Sequence, residues 1–363
     1  MDKTPAAVQP MEGHGAYNRN SGVQAAGVLP AVALLEEAAR TVSLAAPPET
    51  IVIADYGASE GRNSLLPIAA ALRALRARAS AARAISVVHT DLPGNDFSAL
   101  FETVNNDPQS YLKDDSAVFA FAVGRSYFQQ LFPHASVTLG WSSWAIQWLS
   151  RVPAMIPDHV QVACSGDAHA RAAFARQAGE DWRTFLIRRA RELRAGGRLV
   201  VLTMATDDEG QFGYAPVLHA LYATLVIMTR DGFLADEELR HMAIPTVGRR
   251  RDEFAEPFAD DGSSAGLAVE RLEIFEGEDR IWADYLRTGD ADMFGAQWAR
   301  FSRASVFPSL TTALHPAGDA ARAARFFNRL EAGMATQLAA APSRMTIPLA
   351  RMTLVRADAT PRF

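Results

Sequence analysis

The 363-residue chain has a single cysteine, Cys164, which excludes an intramolecular disulfide and any multi-thiolate metal centre and is compatible with a reducing compartment. It also lacks an excess of positive charge. Its 36 Lys and Arg against 41 Asp and Glu give a net charge of -5, so there is no global basic field to favour a phosphate backbone. Nucleic acid is therefore not an expected partner. No apolar run is long enough to span a bilayer, and the first thirty residues hold no basic region followed by an apolar core. A cytoplasmic location without a membrane partner is the expectation. Internal repeats are absent, and 24 glycines and 19 prolines are too few for low complexity. With 49% hydrophobic and 21% charged residues the chain has an ordinary globular composition, and its length favours one elaborated domain over two independent ones.

What is present is an alternation of short β-branched runs with amphipathic stretches. "TIVIAD" (50–55), "ISVVHTDL" (85–92), "SAVFAFAV" (116–123) and "ASVTLGWSS" (135–143) read as buried strands. Residues 63–81, rich in Ala and Leu with arginines on one side, read as an amphipathic helix. "DWRTFLIRRARELRAGGRLVVLTMA" (181–205) reads as a long helix, a Gly-Gly stop and a fifth strand. Strand and helix alternating in this way predict an α/β fold: a parallel, Rossmann-like sheet with helices on both faces and a site at the strand C-termini. From about 207 to 320 the pattern changes to helices and loops, predicting an inserted helical cap. "RMTIPLARMTLVRA" (344–357) predicts a return to the sheet as an edge pair. The expected division is an N-terminal arm over 1–30, an α/β core over 31–206 and 322–363, and a cap over 207–321 that forms a pocket.

The most informative stretch is "IVIADYGASEGRNS" (51–64). A strand ending in Asp55 and followed by Gly57 and Gly61 makes a tight turn that a ligand can approach closely. The spacing departs from the dinucleotide fingerprint, which begins Gly-x-Gly and turns a helix N-terminus to a pyrophosphate. A carboxylate inside the turn repels phosphate and suits an ammonium group. A second acid, Asp91, ends the second strand, where a ribose diol is commonly held. Ammonium plus ribose without pyrophosphate describes S-adenosyl-L-methionine.

Several segments, in order through about residues 11–250, resemble the SABATH family of S-adenosylmethionine-dependent carboxyl methyltransferases. "ADYGASEGRNS" resembles that family's "ADLGCSSGPNT", and "DLPGNDFSALF" (91–101) is similar to "DLPGNDFN-IF". "RSYFQQLFPHASVTLGWSSWAIQWLSRVP" (125–153) resembles its adenine and acceptor segments, and "GAYNRNSGVQ" (15–24) its N-terminal arm. The resemblance implies a donor site of Tyr17, Ser21, Asp55, Gly57, Asn63, Asp91, Leu92, Ser126 and Tyr127. It implies an acceptor carboxylate held by Gln24 and Trp148, with Trp144, Gln147 and Met204 beside it. Relatives are commonly homodimers.

This sequence also departs from the family. Trp144 stands where most relatives have tyrosine, and Gln147 where many have methionine, which suggests a substrate with a hydrogen-bonding group of its own. Glu12 and His14 replace a Lys-Gly-Gly pattern and put the closing contact of the arm in doubt, and Arg62 replaces the proline of the turn.

An indole N–H donates only and an amide NH2 donates twice, so Trp148 and Gln24 can serve an anion without a fixed positive charge. A carboxylate is ionised at neutral pH and needs no base. His89 reads as strand packing, "RRRDEF" (249–254) as a solvated face, and Met204, Tyr214, Leu218, Leu221, Ile244, Val306 and Phe326 as cap residues that line a pocket or fill its core. The predicted reaction is methyl transfer to the carboxylate of a small, aromatic-type acid, with no metal. The alternatives are N- or phenolic O-methylation on the same fold, a nucleotide-cofactor oxidoreductase, and a donor-binding protein without turnover.

Overall fold

The structure, a computed structural model, describes residues 9–13, 15, 18, 22–259 and 263–357, and for residues 22–26 and 263 the backbone alone. Its centre is an eight-stranded sheet of order β3-β2-β1-β4-β5-β8-β7-β6. The strands are β1 (Ile51–Tyr56), β2 (Ile85–Asp91), β3 (Val118–Gly124), β4 (Val137–Ser143), β5 (Leu193–Met204), β6 (Ser263–Ser264), β7 (Leu267–Glu276) and β8 (Pro348–Arg356). β1 to β5 run parallel, and β8, β7 and β6 extend the sheet antiparallel.

Period-2 alternation along each strand feeds a separate core on each face. Ile53, Val200 and Leu202 point into one cluster with helices α1 (Gly22–Thr41), α2 (Arg62–Arg76) and α3 (Phe97–Asn106). Their neighbours Ala54, Leu199 and Val201 point into the other, against Trp182, Phe185 and Leu186 of α4 (Ala168–Glu192). Asp96 and Asp167 cap α3 and α4 by accepting from Ala99 N and Ala170 N at 2.9 and 2.7 Å.

The remaining helices are α5 (Ala215–Arg230), α6 (Asp236–His241), α7 (Arg251–Ala255), whose Phe254 joins the second core, α8 (Arg280–Thr288), α9 (Ala291–Ser305), α10 (Phe307–Leu310) and α11 (Ala320–Ala340). α11 packs on α9 and α5.

Two expectations change. Residues 348–356 form an interior strand between β5 and β7, not an edge pair, because β7 and β6 arise inside the stretch expected to hold helices and loops. Gly196 and Gly197 do not stop the helix, which ends at Glu192. They lie within β5 at a register shift opposite β4, where a Cβ on Gly197 would come 2.8 Å from Arg194 O. After β4, the apolar residues of "WAIQWLS" (144–150) fall at helical spacing, but the segment is turn and isolated bridge, so Trp148 is held by a loop.

Candidate active site

The turn after β1 folds over the end of β2, with Gly57 N and Ala58 N both donating to Thr90 O at 2.9 and 3.0 Å. Gly57 has φ +87, and an added Cβ would lie 2.4 Å from the Ala145 Cβ, so both conformation and space demand glycine there. Asp91 accepts from Ser59 N through Oδ2 and from Leu92 N through Oδ1, each at 2.7 Å. Each oxygen keeps a lone pair for another donor, which is the acceptor pattern a 1,2-diol needs. Burial pushes the Asp91 carboxyl up from 3.8 to about 6.

Around this turn lies a first cavity lined by Gly57, Ser59, Asp91, Leu92, Ser126, Tyr127, Ala145 and Trp148, with Pro10 and Met11 of the arm over it. The buried Ser59 hydroxyl has no partner among the described residues. The Tyr127 hydroxyl donates to Ala145 O at 2.9 Å, tying this strap to the loop that bears Trp148. The glycine cradle, the diol-ready carboxylate and the orphaned hydroxyl fit a nucleoside-bearing donor without phosphates.

A second, deeper cavity is lined by Trp144, Gln147, Trp148, Met204, Tyr214, Leu218, Leu221, Ile244 and Val306, as expected, and also by Gln161, Val217, Thr246, Phe301, Ser302 and Ser305. Phe326 does not reach it and is wholly buried in the cap core. Met11, Trp144 and Trp148 line both cavities, so the two meet there. Among the described residues, the lining of the deeper cavity carries no charged side chain. Its one titratable group, Tyr214, has its hydroxyl pushed upward by burial. The Trp148 indole N–H finds no acceptor among the described residues.

The loop 144–150 is pinned from several sides. Leu149 N donates to Pro245 O at 2.8 Å, and Ser150 gives its N–H and hydroxyl to the two oxygens of Asp181, each at 2.7 Å. Trp148 forms an antiparallel bridge with Thr246. Arg249 donates to Ile146 O and Ala178 O at 2.8 and 3.0 Å. It is 3% exposed, so the charge run 249–254 does not begin on a solvated face. Trp144 has φ 55, uncommon for a bulky residue, and is held by its N–H to Leu202 O at 3.0 Å and by Gln147 Nε2 to Trp144 O at 2.6 Å. The Gln147 oxygen accepts from Thr203 Oγ1 at 3.1 Å. Both ends of that amide are thus engaged, and Gln147 supports Trp144.

Asp55 is not in the lining. It is buried, its Oδ2 lies 2.7 Å from His89 Nδ1, and His89 Nε2 lies 2.7 Å from the Tyr111 hydroxyl. Its partner is thus His89, beneath the turn. Asn63, second residue of α2, likewise lies outside both linings.

Tyr17, Ser21, His14 and the Gln24 side chain lie outside the described residues. The backbone at 24 is in α1, three residues before Gly27, whose added Cβ would lie 2.5 Å from the Trp144 ring. The arm is seated at two points that sequence reasoning missed or doubted. Glu60 accepts from Gly15 N and Asn18 N at 2.7 and 2.9 Å, and Glu12 pairs with Arg303 of α9 at 3.2 Å.

Residues 7–353 match the family described as SAM dependent carboxyl methyltransferase. The chain is 30% identical to benzoate O-methyltransferase of Zea mays over 65% of its own length and 69% of that protein's. It is 28% identical to salicylate carboxymethyltransferase of Clarkia breweri over 82% and 84%. It is also 28% identical to methyltransferase FUS9 of Gibberella moniliformis, of whose length the chain spans 66%. Among solved structures, loganic acid methyltransferase with SAH superposes with a TM-score of 0.77 at 19% identity, covering 96% of this chain and 99% of that one, a likeness of fold.

Proposed function

Because this chain belongs to the SAM-dependent carboxyl methyltransferase family, we propose that it transfers a methyl group from S-adenosyl-L-methionine to the carboxylate of a small, aromatic-type acid, releasing the methyl ester and S-adenosylhomocysteine. The observation that carries this reading is the junction of the two cavities at Trp148, beside a lining without charged side chains among the described residues. The donor, when bound, supplies an electrophilic methyl on a sulfonium. The rest is positioning: Asp91 takes a diol, Gly57 admits the backbone-close portion, and Tyr127 closes the side toward Ala145.

In the deep cavity Trp148, and Gln24 as its counterpart from α1, donate to one oxygen of the acid and leave the other free to attack. Neutral donors suit this task, because a guanidinium there would stabilise the ground-state carboxylate more than the transition state. An ionised acid needs no base, whereas a phenol or amine would often want one. None lines the cavity among the described residues, which favours acids over the amine and phenol variants.

To the same proposal belong a cap that forms the acceptor pocket, a homodimer and a cytoplasmic location. The half-exposed Phe119 and Phe121 on outer strand β3 are apolar surface that pairing would cover. No helix among the described residues is long and apolar enough to cross a membrane. Incubation with methyl-labelled donor and separate panels of acids and amines tests the reaction: base-labile label on acids is expected, and label on amines alone would refute the ester reading.

A further inference from the structure

The hydrogen-bond directions around Thr246 can be assigned from chemistry alone. A backbone N–H only donates, so the Gln161 atom 3.2 Å from Ala163 N is the oxygen, Oε1. Gln161 Nε2 therefore faces Thr246 Oγ1 at 2.8 Å, and since an amide nitrogen only donates, the Thr246 oxygen accepts. The threonine proton must point elsewhere, and it has no acceptor among the described residues. Thr246 is 5% exposed and lines the deep cavity. Its antiparallel bridge with Trp148 sets the two side chains about 5 Å apart at Cβ. A second donor thus stands beside the indole N–H. On the far wall, the Ser302 and Ser305 hydroxyls turn back onto Trp298 O and Phe301 O of their own helix at 3.0 and 2.7 Å.

We propose that the acid methylated here carries a second oxygen (hydroxyl, carbonyl or a further carboxylate) near the reacting one, and that Thr246 selects for it by donating its hydroxyl proton. The proposal rests on the carboxyl-methylation reading. A hydrocarbon-only acid would leave this proton buried and unpaired, a defect a hydrogen-bonding site penalises far more than a small change of volume. It also adds Thr246 as a selecting donor beside Gln147, whose amide already holds Trp144 O and the Thr203 hydroxyl.

The test measures kcat/KM for benzoates bearing hydroxyl, acetyl or carboxylate at the ortho, meta or para position, each against the methyl-substituted benzoate of the same pattern. Wild type is expected to prefer the oxygen-bearing member at one position at least. Thr246→Val should lower that preference by about tenfold, and Thr246→Ser should retain it. A ratio taken within one variant is independent of the fraction folded. Equal or better turnover of the methyl member at every position, or a Thr246→Val preference within about twofold of wild type, would overturn the proposal while leaving carboxyl methylation standing. Turnover of no acid at all would remove both.

Discussion

At the scale of single residues, the account turns on how burial changes what a side chain can do. Asp91 is raised from 3.8 to about 6 because its carboxyl is desolvated, with the Ser59 and Leu92 amides opposing the rise. A diol donates two hydrogen bonds to it, so binding needs the ionised, acceptor-only form. As pH falls through about 6 the carboxyl gains a proton and loses an acceptor. Calorimetry with S-adenosylhomocysteine should therefore give an affinity about tenfold weaker at pH 5 than at pH 7.5. A flat profile over that range would detach Asp91 from the diol.

Asp91 was legible because an acid at the end of the second strand has a known use. The pairing of Asp55 with His89 was not. Strand register sets those two residues side by side, and nothing local in "VVHTD" shows which neighbour a strand will choose.

At the scale of elements, the first four strands and the helix after the glycine turn could be read from periodicity. The loop 144–150 could not. Apolar residues in "WAIQWLS" fall at helical spacing, yet beyond one local turn from Trp148 N to Ala145 O the backbone of that segment bonds to Pro245, Asp181 and Val247, all distant in sequence. Tertiary partners decide its conformation, and the same partners make it rigid enough to aim an indole.

The arm shows the converse: its departures from the family pattern suggested a lost contact, but Glu12 finds Arg303, which Glu331 also holds at 2.8 Å. Met11 is thereby carried onto both cavities. The pair is partly exposed, so its worth is modest. Glu12→Ala should raise KM for donor and acid together by about threefold and speed amide exchange over residues 9–13, measured by steady-state kinetics and hydrogen exchange. Unchanged KM values with unchanged exchange would mean that the arm is held elsewhere.

At the scale of the whole molecule, a sheet with a core on each face carries the donor turn at its strand ends, while α5 and α9 line a chamber that holds no charged side chain among the described residues. Sequence pattern located the chamber's lining better than its architecture: Tyr214, Leu218, Leu221, Ile244 and Val306 all reach it, although β7 within the same stretch went unread. Apolar residues are needed for any pocket of this kind, whereas the choice between strand and helix for 267–276 depends on β8 arriving from some eighty residues later.

The central claim is that Trp148, where the two cavities meet, donates to the acid's carboxylate and turns its free oxygen toward the transferred methyl. The most direct test is a crystal structure with S-adenosylhomocysteine and a benzoate bound together. The account predicts one carboxylate oxygen within hydrogen-bond distance of Trp148 Nε1 and the other facing the sulfur. An acid seated away from Trp148, or with its carboxylate turned from the sulfur, would contradict it.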